Sequence, residues 1–197
     1  MFMKEDYALV LEFLPFGRTS EARQEPIAQV IGEQYFTLLE VITKPGAALT
    51  AFERVYIGRD AREKVERIKR RIVYRELTNS AQKEVEIAIR KLISQREPEF
   101  VSFLNKAGSI SIRAHSLELL PNIGKKNLEA ILTEREKKPF SSLSEVKIRV
   151  PHVANIEEDI VKRIIQELGG EEKYYLFVKI PPKSPEEREQ EYRERRY

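Results

Sequence analysis

The first eighty residues alternate between short apolar runs and polar or glycine-containing breaks, a pattern typical of a small β structure. Four of these runs have strand propensity: residues 7–15, 27–31, 35–42 and 52–57. Gly32, Glu33 and Gln34 separate the second run from the third and suit a hairpin turn. The pattern therefore predicts a series of strands joined by tight connections.

A helix and a last strand are expected before residue 79. Asp60 and Glu63 have the spacing of a capping box, and three apolar residues follow at helical spacing: Val65, Ile68 and Ile72. Residues 72–77 have the pattern of a last strand. Several short strands with one helix before the last are typical of an OB-like β-barrel, which we predict over residues 1–79.

The region 80–170 is expected to form a second, all-helical domain, because its apolar residues recur at helical spacing. Ser80 is placed to cap its first helix, and Pro98 lies near the start of the next. Further helices are expected over residues 117–120, 128–132 and 156–168. The predicted fold class is therefore α+β with two domains.

Residues 174–180 alternate like a lone strand within the C-terminal region 171–197. A strand needs partners, and the barrel is their obvious source. We expect this late strand to return to the barrel or to pair across a dimer. The charged tail after it is expected to be a solvated helix or, alternatively, a segment that orders on a protein partner.

Composition narrows the function classes without selecting one. Hydrophobic residues make up 41% of the 197 residues, so a buried core is expected. The chain has no cysteine, which excludes a disulfide scaffold, a cysteine-ligated zinc site and thiol catalysis. The net charge of +3 is a small excess of 35 basic over 32 acidic residues and does not by itself indicate a nucleic-acid ligand.

The chain is expected to be cytoplasmic and to have no membrane contact. Its first apolar stretch is interrupted by charges at Lys4, Glu5, Asp6 and Glu12, which the core of a signal peptide would not tolerate. No run approaches the ~20 apolar residues of a membrane span.

The most specific pattern lies between residues 117 and 146, where a tight turn over residues 120–124 joins two helix candidates. Asn122 and Gly124 are the residues best able to adopt a positive φ. Ile123 between them is expected to point inward and to fix the turn against the helices.

An anion site is expected where the second helix of this stretch begins. The first backbone N–H groups of a helix have no partner within it, and the helix dipole favours negative charge there. Lys125 and Lys126 follow immediately and can add charge-assisted contacts to a phosphate.

This stretch resembles the helix-hairpin-helix motif. It matches the motif at Leu120, Pro121, Ile123, Gly124, Ala130, Ile131, Arg135, Pro139, Phe140 and Leu143. It departs at Asn122, where the motif has its first glycine. The resemblance implies that the hairpin binds one backbone phosphate of a nucleic acid without reading its sequence. Carried over, that role falls on Asn122, Gly124, Lys125 and Lys126.

A degenerate second copy of the motif is expected over residues 150–168. Residues 150–154 repeat the apolar–proline pattern of residues 120–124 but lack both turn glycines. Three acids stand at the start of the helix that follows: Glu157, Glu158 and Asp159. Such acids cap a helix but repel phosphate, so we expect this copy to be structural.

An OB-like domain followed by a helix-hairpin-helix region resembles an uncharacterised archaeal family described in terms of nucleotide or nucleic-acid binding. The resemblance covers nearly the whole chain. It implies a link to translation, rRNA or transcription, with RNA as much as DNA as the ligand. It brings no established activity.

Two further groups of residues are candidates for binding nucleic acid. The run from Arg59 to Arg75 has eight bases and three acids, and its predicted helix could present Arg62, Arg67, Arg70 and Arg71 to a phosphate backbone. The alternative is a helix with internal pairs such as Glu63 with Arg67. Phe16, beside Arg18 and Arg23, could stack on a base, or it could simply pack in its turn.

No catalytic, metal or cofactor site is predicted. The only aspartates, Asp6, Asp60 and Asp159, suit caps or surface positions, and three adjacent helical acids do not converge on one ion. His115 and His152 suit capping or packing roles. The leading hypothesis is a non-catalytic nucleic-acid-binding protein. The alternative is a protein-interaction adaptor that uses the helix-hairpin-helix region for dimerisation or partner docking.

Overall fold

The computed structural model describes residues 5–18, 25–112 and 114–179. The strands in these ranges are β1 (Tyr7–Leu14), β2 (Ile27–Gly32), β3 (Leu38–Thr43), β4 (Arg54–Tyr56), β5 (Val65–Arg71), β6 (Ser109–Ser111) and β7 (Ala114–His115). The α-helices are α1 (Asn79–Gln95), α2 (Glu97–Lys106), α3 (Lys125–Lys137), α4 (Leu143–Arg149) and α5 (Ile156–Leu168). Two single turns of 3₁₀ helix cover Tyr74–Glu76 and Ser116–Leu119.

Five antiparallel strands form a curled half-barrel in the order β4-β1-β2-β3-β5. The strands predicted near residues 7–15, 27–31, 35–42 and 52–57 are present as β1 to β4. β2 and β3 are buried along their whole length because both faces of the sheet are covered. One face of the sheet covers a small apolar cluster that includes Val10, Val30, Val41, Val55 and Val65. The other face packs against the helices.

The helix predicted from Asp60 is wrong, and so is the strand predicted over residues 72–77. The segment Val65–Arg71 is strand β5, paired antiparallel with β3, and Tyr74–Glu76 is a 3₁₀ turn. Without β5, the buried β3 would leave backbone N–H and C=O groups unpaired, and this cost outweighs the helical spacing of the apolar residues. Among the described residues, no helix lies between the strands of the half-barrel, so the helix expected in an OB-like barrel is absent.

The helices begin close to the predicted positions, with one change of cap. Thr78 caps α1 in place of Ser80, and its hydroxyl accepts a hydrogen bond from the Ala81 N–H at 3.1 Å. Pro98 lies in the first turn of α2 as expected. The predicted helix over residues 117–120 is the 3₁₀ turn Ser116–Leu119. No helix among the described residues is both long and apolar enough to cross a membrane.

One apolar cluster joins the sheet to the helices. It contains Leu9, Ile31 and Leu38 from the strands, Ala88 and Leu92 from α1, and Ile160 and Ile164 from α5. The sheet and the helices therefore share a core, and the division into domains 1–79 and 80–170 stays a prediction.

The late strand predicted over residues 174–180 is wrong for the described part, since residues 174–179 have no strand structure. Instead, the buried Glu167 carboxylate accepts hydrogen bonds from the N–H groups of Leu176, Phe177 and Val178 at 2.7 to 2.9 Å. The segment still returns to the sheet, because the Lys179 N–H donates to the Tyr35 carbonyl at 3.3 Å. Residues 180–197, which include the predicted tail, lie outside the described ranges.

Candidate functional site

Residues 120–124, here called the first turn, connect the 3₁₀ turn Ser116–Leu119 to α3. Asn122 has φ of +63°, the left-handed conformation predicted for it. Ile123 is 4% exposed, and its N–H donates to the Leu120 carbonyl at 3.2 Å. Gly124 has an extended backbone with φ −86° and ψ 178°, so the positive φ expected there is wrong. Asn122 alone among the first-turn residues has the left-handed conformation.

Helix α3 begins without a side-chain cap. Gly124 is its N-cap residue, and the first helical hydrogen bond runs from the Leu128 N–H to the Gly124 carbonyl at 2.9 Å. Within the described part of the chain, the N–H groups of residues 124–127 have no acceptor. Four backbone donors at the positive end of the helix dipole are therefore left for solvent or a ligand.

The charged side chains at the very start of α3 are basic. Lys125 and Lys126 are exposed and form no ion pair with any described residue. The first helical turn of α3 contains no acidic residue. A Cβ atom added to Gly124 would meet nothing within 4 Å, so the fold itself leaves the approach to this helix end open.

The side chain of Asn122 is tied to α5. Its Nδ2 donates to Asp159 Oδ1 at 2.7 Å, while the backbone carbonyl of Asn122 accepts from Asn127 Nδ2 at 2.9 Å. Asp159 is 4% exposed, and burial raises the pKa of its carboxyl above the ordinary value of 3.8, an effect that the Asn122 hydrogen bond opposes. Asp159 was expected at a cap or surface position, so its burial is a correction.

Residues 150–155, here called the second turn, connect α4 to α5 and contain a backbone hydrogen bond like that of Ile123 in the first turn. The Val153 N–H donates to the Val150 carbonyl at 2.9 Å, and Val153 is 2% exposed. The start of α5 is different from that of α3. The Asn155 side chain accepts a hydrogen bond from the Glu158 N–H at 3.2 Å, and the first helical turn of α5 carries three acids. This helix end is capped and negative.

An open depression of about 420 Å³ lies over the first turn and is lined by residues 118–124 and Gln166. Glu118 is the one acid in this lining, and its carboxylate accepts a hydrogen bond from the His115 N–H at 2.9 Å. The depression therefore gives a ligand access to the backbone of the first turn.

The four candidate arginines already have partners in the protein. The Arg62 guanidinium donates to the Gly58 and Glu66 carbonyls. Arg67 pairs with Glu25 at 3.3 Å, and Arg70 pairs with the buried Glu40 at 2.9 Å and with Glu76. Arg71 donates to the Lys179 carbonyl at 2.8 Å. These arginines lie on or beside edge strand β5 rather than on a helix, and their role in binding stays a prediction.

Phe16 is open to solvent, whereas Arg18 is hydrogen-bonded within the protein. Phe16 is 79% exposed in the turn after β1. Arg18 is not free, since its guanidinium donates to Glu40 Oε1 at 2.7 Å and to the Glu76 carbonyl at 2.7 Å. Arg23 lies outside the described residues. A stacking role for Phe16 stays a prediction.

No metal centre is assembled within the described ranges. Groups of three or more histidine, aspartate or glutamate side chains with metal-binding spacing are absent from them. His115 is a capping residue, because its Nδ1 accepts the Leu117 N–H at 3.1 Å. Burial and nearby Arg135 lower the pKa of His115. The neutral form of His115, which can accept this hydrogen bond, is therefore the favoured one.

Two relatives were found by comparison of sequence and structure. The chain is 41% identical over 177 residues to "Uncharacterized protein MJ0038" of Methanocaldococcus jannaschii, an alignment that covers 89% of this chain and 80% of that protein. The crystal structure of Af1531 from Archaeoglobus fulgidus is similar with a TM-score of 0.82 and 44% identity, covering 89% of this chain and all of that one.

The Af1531 structure carries the family name DUF655, and the model of that family matches residues 4–179 of this chain. The match spans the sheet, the helices and both turns. The chain therefore belongs to DUF655, a family of proteins of unknown function.

Proposed function

We propose that the protein is a non-catalytic nucleic-acid-binding protein that holds a backbone phosphate at the first turn. The observation that carries this proposal is the start of α3. Four N–H donors there have no acceptor among the described residues, and they lie beside two lysines that pair with no described residue. A phosphate group offers negative charge and several acceptor oxygens, which match this set of donors.

The proposed contact does not depend on base sequence. Backbone N–H groups and lysines recognise the phosphate charge, whereas base identity is read by side chains that reach the base edges. DNA and RNA both present such phosphates, so the ligand class is a nucleic acid of either kind. In this proposal the two turns are helix-hairpin-helix copies, the half-barrel is OB-like, and only the first turn binds.

The decisive variant reverses the two charges of the first turn. Lys125→Glu combined with Lys126→Glu should weaken binding about a hundredfold at low salt, because two charge-assisted contacts are replaced by repulsion. It should also lower the steepness of the salt dependence. The measurement is fluorescence anisotropy with labelled single- and double-stranded DNA and RNA at two salt concentrations.

A matched control keeps the net charge equal. Lys83→Glu combined with Lys91→Glu makes the same charge change at exposed positions of α1. If the control loses as much affinity as the first-turn variant, binding results from nonspecific electrostatic attraction and not from the first turn. If the wild-type protein binds none of the four ligands, the proposal is wrong and the protein-interaction adaptor becomes the better hypothesis.

A further inference from the structure

The most exposed large apolar side chain in the described part of the chain lies at the tip of a small hairpin. Strands β6 and β7 pair antiparallel, and Ile112 follows β6 with its side chain fully open to solvent. Its neighbours on β6, Ser109 and Ser111, are exposed and polar. Ile112 is therefore the most exposed apolar group of a hairpin whose other isoleucine, Ile110 on β6, is half-buried.

The base of this hairpin is fixed by hydrogen bonds. The Ser116 N–H and hydroxyl both donate to the Gly108 carbonyl, at 2.9 and 2.7 Å. The segment that follows β7 runs directly into the 3₁₀ turn and the first turn. The hairpin and the first turn are thus consecutive parts of one continuous structure.

The hairpin base lies beside the last turns of α3, at the end opposite the first turn. Arg135 Nη1 donates to the carbonyls of Leu104 at 2.9 Å and Ala107 at 2.8 Å, and Ala107 immediately precedes the hairpin. With a rise of about 1.5 Å per residue, Arg135 is roughly 16 Å from Gly124 along α3, about five steps of 3.4 Å along a nucleic-acid strand.

The surroundings of the hairpin base carry positive charge. Lys106 is the last residue of α2 and Lys138 is the C-cap of α3, and both are exposed. Asn105 joins these helix ends through hydrogen bonds with Phe140 at 2.9 Å. Neither lysine forms an ion pair with another described residue. The positive charge of these two lysines would attract a polyanion such as a nucleic acid.

We propose that Ile112 is a wedge that enters between neighbouring bases of a nucleic acid held at the first turn. This inference rests on the proposed function. Aliphatic side chains that insert at a base step partly unstack it and bend the duplex. A stable protein interface would need a continuous apolar area, which the exposed Ile112 and the half-buried Ile110 between two serines do not provide.

The test compares two exposed isoleucines. Ile112→Ala removes the wedge, and Ile148→Ala, on α4, is the matched control because Ile148 is 75% exposed. Each protein is titrated against DNA and RNA duplexes that contain 2-aminopurine, whose fluorescence rises when the base is unstacked. Ile112→Ala should bind about tenfold more weakly and lose the fluorescence rise, whereas Ile148→Ala should behave like the wild type.

The wedge is overturned if Ile112→Ala retains both the affinity and the fluorescence change of the wild type. This failure is distinct from failure of the phosphate-binding turn, because the Lys125→Glu, Lys126→Glu variant would still lose binding in that case. Conversely, the lysine variant could keep the affinity and the fluorescence rise of the wild type while Ile112→Ala loses both. This result would support base insertion by Ile112 and reject phosphate binding at the first turn.

Discussion

The first and second turns have the same outline and opposite helix starts. In each, a buried aliphatic residue donates its N–H to the carbonyl three residues earlier, and a helix of 13 residues follows. At the second turn the Asn155 side chain accepts the Glu158 N–H, and three acids lie in the first helical turn of α5. At the first turn Gly124 provides no side-chain cap, and the two lysines follow it. The two helix starts therefore differ in capping and in charge.

The partners of the second turn explain why its acids are tolerated. Glu158 pairs with Arg90 of α1, and this hydrogen bond lowers the pKa of Glu158. Asp159 is buried against Asn122. Glu158 and Asp159 thus have partners within the protein, whereas Lys125 and Lys126 have no comparable partner among the described residues. The contrast favours a structural role for one turn and a binding role for the other.

The largest effect on stability is expected at Asn122, where the two turns differ in backbone. Asn122→Ala should lower the free energy of unfolding by about 2 kcal/mol, because alanine disfavours the left-handed conformation and Asp159 loses its hydrogen bond. Asn122→Gly should cost about half as much, since glycine accepts this φ. Chemical denaturation of both variants measures the difference.

The control for this comparison is His152→Ala in the second turn. No residue of the second turn has a positive φ, and His152 is exposed, so this change should leave stability unaltered. Equal stability of Asn122→Ala, Asn122→Gly and the wild type would contradict the role assigned to Asn122.

A smaller effect should follow when the first turn is given the cap chemistry of the second. Gly124→Asp places a good N-cap residue in a suitable extended backbone, with open space for its side chain. The free energy of unfolding should rise by a few tenths of a kcal/mol, while affinity for nucleic acid should fall about tenfold through repulsion. Thermal unfolding and anisotropy measure the two effects.

Asn155→Ala is the matching change in the second turn. It removes the cap of α5 and should lower the free energy of unfolding by about 1 kcal/mol without changing affinity. A loss of affinity in Asn155→Ala comparable to that in Gly124→Asp would remove the distinction between the two turns.

The sequence predicts best where local chemistry decides the structure. Strands β1 to β4 follow from apolar runs bounded by turn residues, and the left-handed conformation of Asn122 follows from its side chain. The start of α3 was also predictable, because a glycine-containing turn precedes a run of helix-forming residues. These features depend on neighbours in the chain.

The sequence predicts least where a distant partner decides. Val65, Ile68 and Ile72 have helical spacing, but the exposed edge of β3 makes their segment a strand. Asp159 is buried because Asn122, 37 residues earlier, donates to it. Glu167 captures three N–H groups of residues 176–178 and so replaces the expected late strand with an irregular segment.

The most direct test of the central claim is an NMR titration that follows the backbone amide signals of both turns as a short oligonucleotide is added. If the first turn binds phosphate, the signals of residues 124–127 should shift in proportion to binding, while those of residues 155–158 should stay in place. Binding accompanied by shifts at residues 155–158 and none at residues 124–127 would contradict this claim.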